Sequence, residues 1–239
     1  GSDYIRTYTF PTTAKNAIFT YTIEGGDDSG EEEMDYSYVS DFTLSGRYQE
    51  AWTVSANWQG QNIVPSSFTA LGSTTIIPVS EALFGLTKLY VDDSTGTIGT
   101  TQVALTLFEA TLKITSGWIP KFTADGALDF AFLENTGFSG TLDVTYEHNA
   151  TSIAEKVKWR AGTARLVKLL IEGPTVTTPG TTYSKKTIIC NLPGKWEKFD
   201  PIGDIDGNDV VKGTFRIGYD VDYGSAGSII VVNELATMP

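Results

Sequence analysis

Apolar and polar residues alternate with period two through residues 42–58. Phe42, Leu44, Tyr48, Trp52, Val54, Ala56 and Trp58 fall on even positions, and Thr43, Ser45, Arg47, Gln49, Thr53, Ser55 and Asn57 lie between them. Successive side chains of a strand point to opposite faces, so this pattern suits a sheet with one buried and one wet face and suits no helix. Gly46 and Glu50 break the apolar set and Ala51 breaks the polar one, which predicts two strands joined by a turn around 46–50. The even face is expected to be core and to carry Trp52 and Trp58 inward.

Threonine and β-branched runs between glycines extend this reading along the chain. Strands are expected at 17–24, 87–92, 102–115, 127–133, 141–147, 165–172, 183–192, 210–221 and 228–233. About ten strands with turn signals between them have the spacing of a sandwich or barrel. In 102–115 the apolar set passes from odd (Val103, Leu105, Leu107) to even (Phe108, Ala110, Leu112, Ile114), as a β-bulge requires. One helix interrupts the strands: Ser152 with Glu155 reads as a capping box, Ile153, Val157 and Ala161 form the stripe to be buried, and Gly162 is the stop. The chain reads as one all-β domain over 1–239 with one short helix, a possible N-terminal arm at 1–16 and a long loop at 59–85.

Two segments stand out. Residues 25–33, with Asp27, Asp28, Glu31, Glu32 and Glu33, read as a solvated acidic turn, and Asp35 follows it. The 59–85 loop carries Ile63, Val64, Phe68, Leu71, Ile76 and Ile77, an apolar load that needs cover from its own domain or from a neighbouring chain.

Known chemistries find little footing. His148 is the only histidine, no G-x-S-x-G elbow or Walker loop is present, and the one cysteine, Cys190, lies in an apolar run and is expected to be buried. Asp200, Asp204, Asp206, Asn208 and Asp209 fail the EF-hand pattern, since Asp209 replaces its glycine and Phe215 its glutamate; they read as turn residues. No enzyme activity, cofactor or metal is expected. Seventeen basic against 29 acidic residues give a net charge of −12, which argues against a body that grips nucleic acid or anionic lipid. No apolar stretch is long enough to span a membrane, and the N-terminus has no export-signal pattern.

Several pieces, taken in order, resemble the major tail tube protein of long-tailed bacteriophages. They are Tyr38-Val39-Ser40-Asp41-Phe42-Thr43-Leu44-Ser45-Gly46, Trp52-Thr53-Val54-Ser55-Ala56-Asn57-Trp58-Gln59-Gly60, Lys88-Leu89-Tyr90-Val91-Asp92 and Gly117-Trp118-Ile119-Pro120. The helix region then leads into Arg165-Leu166-Val167-Lys168-Leu169, and Gly194-Lys195-Trp196-Glu197-Lys198-Phe199 precedes Asp204-Ile205-Asp206-Gly207 and Val231-Val232-Asn233-Glu234-Leu235. The similarity is one of order and texture across about 36–235.

The resemblance implies a two-sheet β-sandwich with a flanking helix. Its subunits would form stacked, typically hexameric rings whose inner strands join into a continuous barrel, the channel for genome ejection. The expected place is the virion tail, assembled in the bacterial cytoplasm, with tail-tip, tail-terminator and tape-measure proteins as partners and DNA passing without tight binding. On this reading Ile63, Val64, Phe68, Leu71, Ile76 and Ile77 stack on a neighbouring subunit. Asp27, Asp28, Glu31, Glu32, Glu33 and Asp35 form an acidic rim, and Lys156, Lys158 and Arg160 stay outside. Thr43, Ser45, Thr53, Ser55 and Asn57 are lumen candidates; the same face also suits an ordinary outer surface, since period two reports burial and not direction. The rival reading is a secreted β-sandwich, either a pilin-like surface protein or a carbohydrate-binding module using exposed tryptophans.

Overall fold

The computed structural model of the chain describes residues 4–12, 18, 20–27, 29–69, 80–104, 106–124, 126 and 128–236. In chain order the strands are β1 (Tyr4–Thr9), β2 (Tyr21–Asp27), β3 (Gly30–Arg47), β4 (Thr53–Gln59), β5 (Asn62–Pro65), β6 (Thr87–Asp93), β7 (Leu107–Thr115) and β8 (Trp118–Lys121). They continue as β9 (Phe132–Asn135), β10 (Ser139–Glu147), β11 (Ala164–Thr175), β12 (Lys185–Phe199), β13 (Gly203–Ile205), β14 (Asn208–Ile217) and β15 (Ser228–Asn233), with the helix α1 (Ala150–Arg160) between β10 and β11. Every strand pairing is antiparallel.

One layer runs β6-β11-β12-β15-β1 and the other β4-β3-β7-β10-β14. β12 belongs to both, because residues 187–191 pair with β15 and residues 194–199 pair with β14. The crossing needs a residue without a side chain: a Cβ on Gly194 would lie 2.0 Å from the Arg216 carbonyl oxygen. Between the layers, Leu44, Ala110, Leu112, Ile114, Leu142, Val144, Val211 and Phe215 meet Leu89, Val91, Val167, Leu169, Ile171, Cys190 and Leu192. Each large side chain so buried contributes roughly 1.5–3 kcal/mol, which makes this contact the main stabilising term of a two-sheet β-sandwich. Cys190 sits fully inside it, and burial pushes its thiol up to about 12.

The change of parity in β7 is a bulge as expected: Thr145 faces Glu109 and Tyr146 faces Leu107, so Phe108 has no partner across the ladder. The two-residue turn at Asp206 and Gly207, both with positive φ, joins β13 to β14, and Asp204 Oδ1 accepts from Gly207 N at 3.2 Å. Turn chemistry thus accounts for Asp204 and Asp206, while Asp209 is a β14 residue paired opposite Asp204.

Other expectations need correction. The acidic stretch at 25–33 is mostly strand, because β2 and β3 form a hairpin around it and only its tip is turn. The segment 59–85 is not one loop: β5 pairs with β3, Leu83 bridges Ala51, and the 3-10 turn Phe84–Leu86 buries Phe84 in the chain's own core. The expected strand at 127–133 lies instead at β9, and the one at 210–221 stops at Ile217. Residues 4–9 of the supposed arm are β1, paired with β15.

The helix also departs from expectation. Its N-cap is Asn149, whose side chain accepts from the amides of Thr151 and Ser152 while Ser152 Oγ accepts from Asn149 N. Asn-x-x-Ser fits the cap geometry as well as Ser-x-x-Glu, and Glu155 is needed elsewhere. Ile153 and Val157 face solvent, and the buried helix residues are Ser152 and Glu155.

Candidate functional site

The outward face of the β4-β3-β7-β10-β14 layer is polar throughout. Across it, Ser55, Thr43, Lys113, Thr141, Arg216 and Lys195 form one transverse row, and Thr53, Ser45, Thr111, Asp143 and Thr214 form the next. The lumen candidates Thr43, Ser45, Thr53, Ser55 and Asn57 therefore share one surface: Thr43 and Ser45 are half-buried, and the three on β4 are exposed. Ser45 and Thr53 hydroxyls lie 2.9 Å apart, and Asn57 Nδ2 donates to Asp41 Oδ1 at 2.8 Å. The hairpin's part of the face carries one cation, Arg47, paired with Glu109 at 3.2 Å, and β7, β14 and β12 add Lys113, Lys212, Arg216 and Lys195. Period-two reading of one hairpin had no access to those strands.

β4 itself is exposed on both sides. Val54 stands opposite Leu44 on the inward side, yet it is 66% exposed while Leu44 is 4% exposed. Trp58, expected in the core, is 42% exposed and meets Tyr21 edge to face at 5.7 Å. Trp52, by contrast, packs against Phe84 and donates Nε1 to Thr87 Oγ1 at 2.8 Å. The even face is thus core on β3 and bare on β4, because the opposing layer does not cover the last strand. Among the described residues, β4 pairs only with β3.

Beyond the sheet, β2, the first half of β3 and β5 make a three-stranded arm, bent from the main sheet at Tyr36, where φ is +52°. Asp27, Glu31, Glu32, Glu33 and Asp35 lie on it; Asp28 is outside the described residues. Neutral donors hold several of its carboxylates: Ser66 Oγ donates to Glu33 at 2.8 Å, Phe68 N to Glu31 at 3.3 Å and Thr69 N to Glu24 at 2.8 Å. The Thr69 hydroxyl and amide keep Glu24 below the usual carboxylate range. Of the stacking candidates, Ile63 and Val64 are β5 residues opposite Met34 and Glu33, Phe68 is exposed, and Leu71, Ile76 and Ile77 lie outside the described residues.

A buried polar cluster escaped sequence reasoning. Glu155, 5% exposed, receives Arg165 Nη2 at 2.7 Å, Arg165 Nε at 3.1 Å and Trp196 Nε1 at 2.8 Å. Arg165 also reaches Asp93, whose carboxyl is held down by the Lys158 ammonium and the Arg165 guanidinium. The available signal was an arginine at the start of β11, directly before the apolar pair Leu166 and Val167. Its ligands are all taken, so the cluster fastens α1 to the sheet rather than presenting a reactive group. Lys158, 41% exposed on the outside of the helix, reaches the rim of the cluster through Asp93 at 3.2 Å.

A cleft of about 530 Å³ lies beside β6, lined by Phe84, Leu86, Leu89, Val103 and Leu107, with the Lys88–Glu172 ion pair at 2.9 Å among its walls. Among the described residues, no three histidine, cysteine or acidic side chains come together as metal ligands, and no helix is long and apolar enough to cross a membrane. No protein-family model matches the chain, and neither does any curated protein sequence.

Proposed function

We propose that this chain is a structural subunit that assembles with copies of itself into stacked rings, forming the tail tube of a long-tailed bacteriophage. The observation that carries the reading is β4. A seven-residue strand without charge or proline, paired on one edge and exposed on both faces among the described residues, is a template for another chain. In a ring each copy would offer β4 to a different surface of the next, a heterologous contact that closes. The polar face would then wall the channel at Thr43, Ser45, Thr53, Ser55 and Asn57, and the arm would set its acidic rim. Phe68 and the apolar residues after it would meet the next ring. Tail-tip, tail-terminator and tape-measure proteins would be its partners, and DNA would pass without tight binding.

Replacing Val54 and Ala56 with Lys tests this directly. The parent should form rings or tubes of uniform width by negative stain and sediment as large species. The variant should stay monomeric with folding stability within about 0.5 kcal/mol of the parent, as expected for exposed positions. A parent that remains monomeric across concentrations and salts, or a variant that assembles equally well, would overturn the reading.

A further inference from the structure

We infer that the cation row on the polar face docks the acidic arm of a second copy of this chain. This rests on the self-assembly reading and names the contact that stacks one copy on another.

Both elements carry like charges in direct opposition. Arg216 stands opposite Lys195 across β14 and β12, with Lys113 two strands further along the same row, beyond Thr141. On the arm, Glu24 stands opposite Glu33, and Glu31 and Asp35 lie on the same side of β3 by the two-residue period. Opposed like charges destabilise a sheet pair unless a counter-charge lies over them. None does within the chain: among the described residues, Lys113, Lys195 and Arg216 make no ion pair, and neither do Glu24, Asp27, Glu31, Glu32, Glu33 or Asp35.

The row also has room for incoming side chains. Arg216 separates a cleft of about 330 Å³, shared with Lys113, Thr141 and Glu197, from one of about 230 Å³, shared with Lys195, Tyr219 and Asp220. Glu197 and Asp220 line these clefts without pairing to the cations. The arm's carboxylates, none of them ion-paired among the described residues, complement the cations of the row in sign and make the arm the oppositely charged occupant that the chain itself supplies. Covering the row would also leave the channel wall without free cations for DNA to hold.

Charge reversal decides it. Arg216→Glu with Lys195→Glu, and separately Glu24→Lys with Glu33→Lys, should each raise the concentration needed for assembly by roughly tenfold or more. All four changes in one chain should restore assembly, since the pairing is re-formed with reversed sign. Near-ultraviolet circular dichroism confirms that each variant is folded. If the parent assembles and both double variants assemble equally well, this inference fails and the self-assembly reading stands. A parent that never assembles overturns both. Duplex DNA binding at low salt that is lost in the Arg216/Lys195 variant while assembly is intact makes the row a phosphate site and overturns the docking of the arm.

Discussion

At its β12 end the polar sheet is closed, and at β4 it is open. At the closed end α1 lies along the strand, Trp159 Nε1 donates to the Glu197 carbonyl at 2.9 Å, and Glu155 binds Arg165 and Trp196 underneath. The free edge of β6 in the other layer is closed too: Val91 N donates to Thr101 O at 3.0 Å and Val103 N to Leu89 O at 2.8 Å. Asp92 holds that covering segment by accepting from the amides of Gly99, Thr100 and Thr101. Each closure is fastened by a nearly buried carboxylate with all its donors supplied. Among the described residues, the arm's carboxylates have no cation and β4 has no cover. The same chain finishes some edges fully, so the bareness of β4 is a property of that edge and not of the fold.

Breaking the closed end should have the largest effect. Glu155→Ala leaves Arg165 charged and buried with only the exposed Asp93 as partner and removes the acceptor of Trp196 Nε1; a loss of about 3–5 kcal/mol of unfolding free energy is expected by denaturant titration. A loss under about 1 kcal/mol would mean that the cluster does not hold the helix. Asp92→Ala should cost about 1–3 kcal/mol, through amides left without an acceptor, and should speed hydrogen exchange at Val91 and Val103. It also sharpens the comparison: new association through the uncovered β6 would show that any open edge suffices, and none would single out β4.

The smallest effect is at Glu234, which accepts from Thr177 and pairs with Lys186 at 3.1 Å. These bonds pull its carboxyl down to about 2 from the usual 4.5. A depressed carboxylate stabilises the fold above its unfolded value and loses that contribution as pH falls from about 4.5 through 2. The Glu234 carboxyl resonance should therefore titrate near 2, together with release of the Thr177 amide, while β4 shows no change in that window.

How much of this was legible in the sequence follows from where each residue finds its cover. β15 could be read off from its β-branched run Ile229–Val232, and the Phe108 bulge from the change of parity around it. Val54 and Trp58 could not: alternation puts them on the inward face, and only the extent of the opposing layer decides whether that face is covered. Glu155 was misread because its spacing from Ser152 suits a cap, while its partner Arg165 comes from a strand ten residues on. The acids of the arm looked like loop because charge signals solvent, and an arm with both faces wet is as charged as a turn. The lumen candidates were grouped on one surface correctly, but the cations beside them come from strands distant in sequence.

The position of Cys190 has a practical consequence. Its thiol lies between the two layers, fully shielded and kept protonated by burial, so an alkylating reagent can reach it only when the layers part. The proposed assembly at β4 or at the arm would not contact that interior. The chain thus carries its own chemical clock for whole-domain opening; because the proposed assembly would bind only the folded chain, the clock would run slower in an assembled subunit than in a free one.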